Sequence, residues 1–152
     1  MNNKAPLRTA MVMFPFAVLI MTVLVPSAQP VVGSPNRTCL AEAVTIQGTD
    51  RNDELEGTSG PDVIAGGPGR DDIRGRGGRD TICGGPGPDS LEGNLAHEEM
   101  TGGSGRDAVR GQKGGDDLDG GKGIDDLYGG RNRDSCTGGE KYQGCELIGA
   151  PG

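Results

Sequence analysis

Gly102-Gly103-Ser104-Gly105-Arg106-Asp107-Ala108-Val109-Arg110 is one copy of a nine-residue unit that recurs on both sides of it. Glycine opens each unit: Gly48, Gly57, Gly66, Gly75, Gly84, Gly93, Gly102, Gly111, Gly120 and Gly129. An acid holds the sixth place: Asp53, Asp62, Asp71, Asp80, Asp89, Glu98, Asp107, Asp116, Asp125 and Asp134. An apolar residue holds the eighth: Leu55, Ile64, Ile73, Ile82, Leu91, Met100, Val109, Leu118, Leu127 and Cys136. The fourth place is glycine except at Arg51, Ala96 and Asn132. The ten units fill residues 48–137 without insertion or deletion. A period this strict outranks local propensity and marks a solenoid, in which each unit stacks on its neighbours.

Composition leaves few other folds. Of 152 residues 30 are glycine, none is tryptophan and 3% are aromatic, so an ordinary packed core cannot be assembled. One apolar residue per unit suffices only if the units stack it into a continuous row. The formal charge of −7 argues against nucleic acid, whose phosphates are met by basic clusters. It argues for cations as partners.

The acid column names the cation. Calcium takes six to eight oxygen ligands, and carboxylates together with backbone carbonyls supply them. Glycine permits the positive φ that a tight turn needs and brings carbonyls close to an ion. The consensus Gly-Gly-x-Gly-x-Asp-x-(Leu/Ile)-x is clearest in 66–74, 84–92, 102–110 and 120–128. It resembles the nonapeptide of the RTX, or haemolysin-type, calcium-binding family. That resemblance implies a right-handed parallel β-roll of about five 18-residue coils, all β. It also implies a six-residue turn and a three-residue strand in each unit, with Ca2+ held between stacked turns.

On that reading, turns eighteen residues apart stack. Asp53, Asp71, Asp89, Asp107 and Asp125 then line one edge, and Asp62, Asp80, Glu98, Asp116 and Asp134 line the other. All ten are expected metal ligands. Glu98 is the weaker, being one methylene longer and lying in a turn where Ala96 replaces glycine. Arg70, Arg79, Arg106 and Arg133 stand in the fifth place, where small polar residues are usual in the family, and are expected to turn to solvent. Glu56, Arg74, Glu92 and Arg110, eighteen apart, alternate in charge and read as a register device.

Outward from the repeats, residues 1–33 read as a secretory signal peptide: Lys4 and Arg8, an apolar run, then small and proline residues, with cleavage after 28 or 33. The apolar run of about 16 residues is short of a membrane span. Residues 34–47 are expected to form an N-terminal cap, with Cys39–Gln47 as a lead-in strand whose Ile46 extends the apolar row. Residues 138–152 are expected as a C-terminal cap and tail. Four cysteines in an exported chain favour disulfides. Three pairings are open, and the expected one is Cys39–Cys83 with Cys136–Cys145.

Catalytic patterns are weak. His97 is the single histidine; His97-Glu98-Glu99 is followed by no second histidine, as a zinc-protease motif requires. Asp116-Asp117-Leu118-Asp119-Gly120 opens like an EF-hand, but Leu127 stands where its closing glutamate belongs. The expectation is a secreted, monomeric calcium-binding protein and not an enzyme, its folding coupled to extracellular calcium. The rival expectation is a cell-surface or matrix-associated spacer.

Overall fold

The structure, a computed structural model, describes residues 38–147. The expected signal peptide lies outside the described residues, as does the end of the C-terminal tail. Among the described residues there is no helix.

The chain winds as a β-solenoid of about five turns, and every strand of the coils pairs in parallel with its neighbours. One sheet has six strands: Glu54–Glu56, Asp72–Arg74, Ser90–Leu95, Ala108–Lys113, Asp126–Arg131 and Lys141–Gln143. The other has seven: Ile46–Gln47, Val63–Ala65, Thr81–Pro86, Glu99–Gly105, Asp117–Gly123, Ser135–Thr137 and Glu146–Leu147. Units alternate between the sheets, so the pairing step is eighteen residues: Val109 lies opposite both Leu91 and Leu127.

Strand alternation turns each eighth residue inward. Ile64, Ile73, Ile82, Leu91, Met100, Val109, Leu118, Leu127 and Cys136 form one buried cluster, with Ile46 and Leu55 packed on it at one end and Tyr142 and Cys145 at the other. This narrow seam between two sheets is the whole apolar core of the coils.

Three local features differ from the sequence expectation. In the middle coils the strands are six or seven residues long, not three, because the ladder continues into the next unit: Gly85 pairs with Gly103, and Gly103 with Gly121. Second, Cys39–Gln47 is not one lead-in strand. Thr38–Cys39 folds back antiparallel on Glu42–Ala43 through Leu40 and Ala41, both at positive φ. This hairpin covers part of the seven-stranded sheet. Cys39 is joined to Cys83, the Thr81 hydroxyl donates to Glu42 at 3.2 Å, and the outward places Ala65 and Thr81 are buried. Ile46 then opens the sheet opposite Ile64. Third, the C-terminal segment is a shortened coil. Tyr142 stacks beside Leu127 and Leu147 beside Cys136, where the nonapeptide pattern has already lapsed. The Tyr142 hydroxyl accepts from the Gly139 N–H at 2.8 Å, and the Cys136–Cys145 bond closes the end.

Stacked turns leave no room for side chains at the corner. Gly87 has φ 132°, and a Cβ placed there would overlap the carbonyl oxygen of Gly69 in the preceding coil. Gly87→Ala is therefore expected to destabilise the fold by more than about 1 kcal/mol, through strain and overlap together, as read from the midpoint of chemical denaturation.

Candidate metal centre

The sixth-place acids are drawn into the corners by the backbone itself. In seven of the units the N–H of the acid points along the solenoid at the carboxylate eighteen residues on. Asp53 N–H donates to Asp71 Oδ1 at 2.9 Å, Asp71 to Asp89 at 2.9 Å, Asp89 to Asp107 at 2.9 Å and Asp107 to Asp125 at 2.8 Å. On the other edge Asp62 donates to Asp80 at 3.0 Å, Glu98 to Asp116 at 3.0 Å and Asp116 to Asp134 at 2.9 Å. The two edges are thus the two columns expected from the spacing. All ten acids but Asp53 are buried.

In the seven aspartates from Asp71 onward one carboxylate oxygen is spent in this ladder and the other is not. Oδ2 of Asp71, Asp80, Asp89, Asp107, Asp116, Asp125 and Asp134 has no hydrogen-bond partner, and neither oxygen of Glu98 has one. An unpartnered buried acceptor costs free energy, and a charged one more. These free oxygens converge with backbone carbonyls on space that glycine keeps clear. A methyl group on Gly84 would lie 2.6 Å from Asp89 Oδ2 and 2.6 Å from Gly102 O. On Gly102 it would lie 2.6 Å from Asp107 Oδ2 and 2.8 Å from Gly120 O. The donor set is anionic and all oxygen, which fits a hard divalent cation such as calcium and not a thiolate-seeking metal. Among the described residues no three acidic, histidine or cysteine side chains gather at one point, so backbone carbonyls would have to complete any shell.

A family model described as the RTX calcium-binding nonapeptide repeat matches residues 47–82, 77–109 and 110–140. The chain belongs to that family. No curated protein and no solved structure matches it. RTX repeats bind calcium, and the glycine-lined, carboxylate-bearing corners of this β-roll have the chemistry for it.

Two departures from uniformity stand out among its RTX repeats. In the first unit of each edge the acid is already satisfied. Asp53 Oδ2 accepts from the Thr49 N–H at 2.7 Å and its hydroxyl at 2.9 Å; Asp62 Oδ2 accepts from the Thr58 N–H at 2.6 Å and its hydroxyl at 2.9 Å. Threonine occupies the second place in these two units alone, a signal present in the sequence that the repeat consensus hides. The other departure is Glu98. Its longer side chain leaves the ladder broken, since the Asp80 N–H makes no bond to it and both its oxygens are orphaned. Ala96 in the same turn keeps the glycine-like backbone, at φ 116°, a conformation costly for any residue with a Cβ.

Burial raises six of these carboxyls. Desolvation pushes Asp80 up to about 6 and Asp89 up to about 7, and lifts Asp71 and Asp107 as well. Glu98 goes to about 8, through desolvation and then through Asp116 beside it; Asp116 is also raised, desolvation again leading. A carboxyl raised in the fold binds protons more tightly folded than unfolded. Its stabilising effect is complete below the unfolded value, about 4, and is lost as pH climbs through the folded value. In chelator, β content by circular dichroism is therefore expected to rise as pH falls from about 8 toward about 4; a decrease on acidification would contradict the buried-carboxylate account.

Proposed function

We infer that the protein is a secreted calcium-binding β-roll whose folding is coupled to calcium. The observation that carries this is the set of orphaned buried oxygens on Asp71, Asp80, Asp89, Glu98, Asp107, Asp116, Asp125 and Asp134. Each faces a corner kept open by glycine, and each is a defect that a bound cation repairs. In this proposal these residues hold the ions between successive turns, with backbone carbonyls completing each shell. Asp53 and Asp62, at the start of their columns, would join only by giving up their threonine hydrogen bonds. The bound calcium would supply positive charge between coils; the chain's part is to hold oxygens at the spacing of the β-ladder.

Coupling to folding follows from how little else holds the chain together. The apolar seam has one residue per nine, while the backbone to be ordered is glycine-rich and so loses the most freedom. Binding free energy at a site absent from the unfolded chain is folding free energy. Secretion is supported by the leader-like residues 1–33 and by two disulfides, which persist in oxidising compartments. We assign no enzymatic activity: His97 stands 3.9 Å from Asp117 Oδ2 on an exposed turn, and among the described residues no hydroxyl is hydrogen-bonded to it.

Calorimetric titration of the chain lacking residues 1–33 is the direct test, run beside circular dichroism. Calcium is expected to bind with several ions per chain and to raise β content in the same range; a fully formed β spectrum in chelator at neutral pH would overturn the coupling. Asp107→Asn is expected to lower the calcium count or shift the folding midpoint to higher calcium. Glu98→Asp, which restores the ladder bond to the Asp80 N–H, is expected to shift it to lower calcium.

A further inference from the structure

In the first five places of the units, bases outnumber acids on both edges: one carries Arg51, Arg70, Arg106 and Lys122 beside Asp50, and the other carries more bases and no acid. In the turns of the edge built from residues 57–61, 75–79, 93–97, 111–115 and 129–133, the first five places of each unit hold no acid at all. They do hold Arg76, Arg79, Lys113, Arg131 and Arg133, with His97 among them. All five Lys and Arg side chains are exposed. The ladder lines them up. Leu95 pairs with Lys113, Lys113 with Arg131, and Gly77 bridges to Leu95, so Gly77, Leu95, Lys113 and Arg131 form one file along the edge. Arg76 is tied to Glu56 and Arg133 to Glu146. Arg79, Lys113 and Arg131 meet no carboxylate among the described residues. Lys113 and Arg131 occupy adjacent strands, where like charges repel, and no carboxylate among the described residues relieves them.

Leu95 gives the strip its second character. It is a large apolar residue, 51% exposed, at the third place of its unit. It is held there between two non-glycine residues at positive φ, Asn94 at 84° and Ala96 at 116°. Backbone of that kind is costly and persists where the surrounding structure enforces it. An exposed apolar side chain among turn places that hold bases and no acid is complementary to an anionic lipid surface: phosphate and carboxylate headgroups meet the cations and the leucine enters the headgroup boundary.

We propose that this edge, with Leu95 exposed on it and Arg79, Lys113 and Arg131 around it, docks the calcium-loaded protein on an anionic lipid bilayer. The proposal rests on the calcium-coupled folding inferred above. In the unfolded chain these cations are interspersed with acids along the sequence. Winding the coils gathers them on one edge and turns the acids behind them inward, where Thr58 satisfies Asp62 and bound ions compensate Asp80, Glu98, Asp116 and Asp134. The outward acids Glu99, Asp117 and Asp119 belong to the strands of the adjacent sheet, and Asp117 borders the strip with its Oδ2 3.9 Å from His97 Nε2.

Vesicle flotation tests it, with phosphatidylcholine alone against phosphatidylcholine mixed with phosphatidylserine, in calcium and in chelator, and circular dichroism on the same samples. The wild type is expected to float only with the anionic vesicles and only in calcium. Lys113→Glu/Arg131→Glu is expected to reduce binding by about tenfold or more, and Leu95→Ser to weaken it, both with calcium-induced folding intact. Arg106→Glu, on the opposite edge, is expected to bind as the wild type does. Calcium can also bridge acidic protein to phosphatidylserine. Equal binding by Lys113→Glu/Arg131→Glu and the wild type would show that and overturn the proposal, while leaving the calcium-binding reading in place. Absence of any calcium-induced folding would overturn both. Retention on heparin without flotation would transfer the strip to a soluble polyanion and overturn the lipid assignment.

Discussion

The fold depends on a column of carboxylates buried at the corners of a coil. From Asp71 onward each of them except Glu98 accepts the N–H of the acid one coil back, and all eight keep at least one oxygen free toward a glycine-cleared space. The ladder bond fixes the eighteen-residue register at the corner as firmly as the apolar seam fixes it at the centre. The free oxygen carries the opposite consequence. It is a buried, unpartnered acceptor, so the same side chain that sets the register also stores a demand for a cation. On the proposed function, register and ion binding are two uses of one residue, and the sixth place is acidic in every unit while its neighbours vary.

The ends of the solenoid meet that demand differently. At the N-terminal end Thr49 and Thr58 satisfy Asp53 and Asp62 with an N–H and a hydroxyl each, so the first turn of each edge is closed by hydrogen bonds. A hairpin held by Cys39–Cys83 covers the adjoining sheet. At the other end Tyr142 and Leu147 extend the two sheets past the last nonapeptide, and Cys136–Cys145 ties them down. A solenoid exposes unpaired strand edges at its termini, and capping them is what keeps such a stack from fraying or adding another chain. The turn around Glu98 is the one interior place where the pattern is relaxed: the ladder bond is missing, Ala96 takes a glycine conformation, and Leu95 stands out from the edge.

Much of this was legible before any coordinates, because a nine-residue period with no slip leaves one way to stack. The inward row from Leu55 to Cys136, the two acid columns and the irregular turn at Ala96 and Glu98 all follow from position within the unit. The lengths of the strands did not. Three-residue strands were expected, but Gly85, Gly103 and Gly121 remain in the ladder because glycine can keep pairing through a corner at positive φ. The hairpin over Thr81 was hidden as well, since Cys39–Gln47 alternates like a single strand and its reversal at Leu40–Ala41 carries no glycine or proline to announce it.

Sequence alone determined the coil, the register and the identity of the core and corner residues, since those depend on period and side-chain type, which repeat. Tertiary structure decided what depends on partners eighteen or more residues away. It showed which carboxylate oxygens are spent and which are free, and that Thr49 and Thr58 satisfy the first acids. It also brought Lys113, Arg131 and Leu95 into one file. A hydrogen bond or a charge file exists only once two coils are in contact, and a one-dimensional pattern records the places but not what meets there.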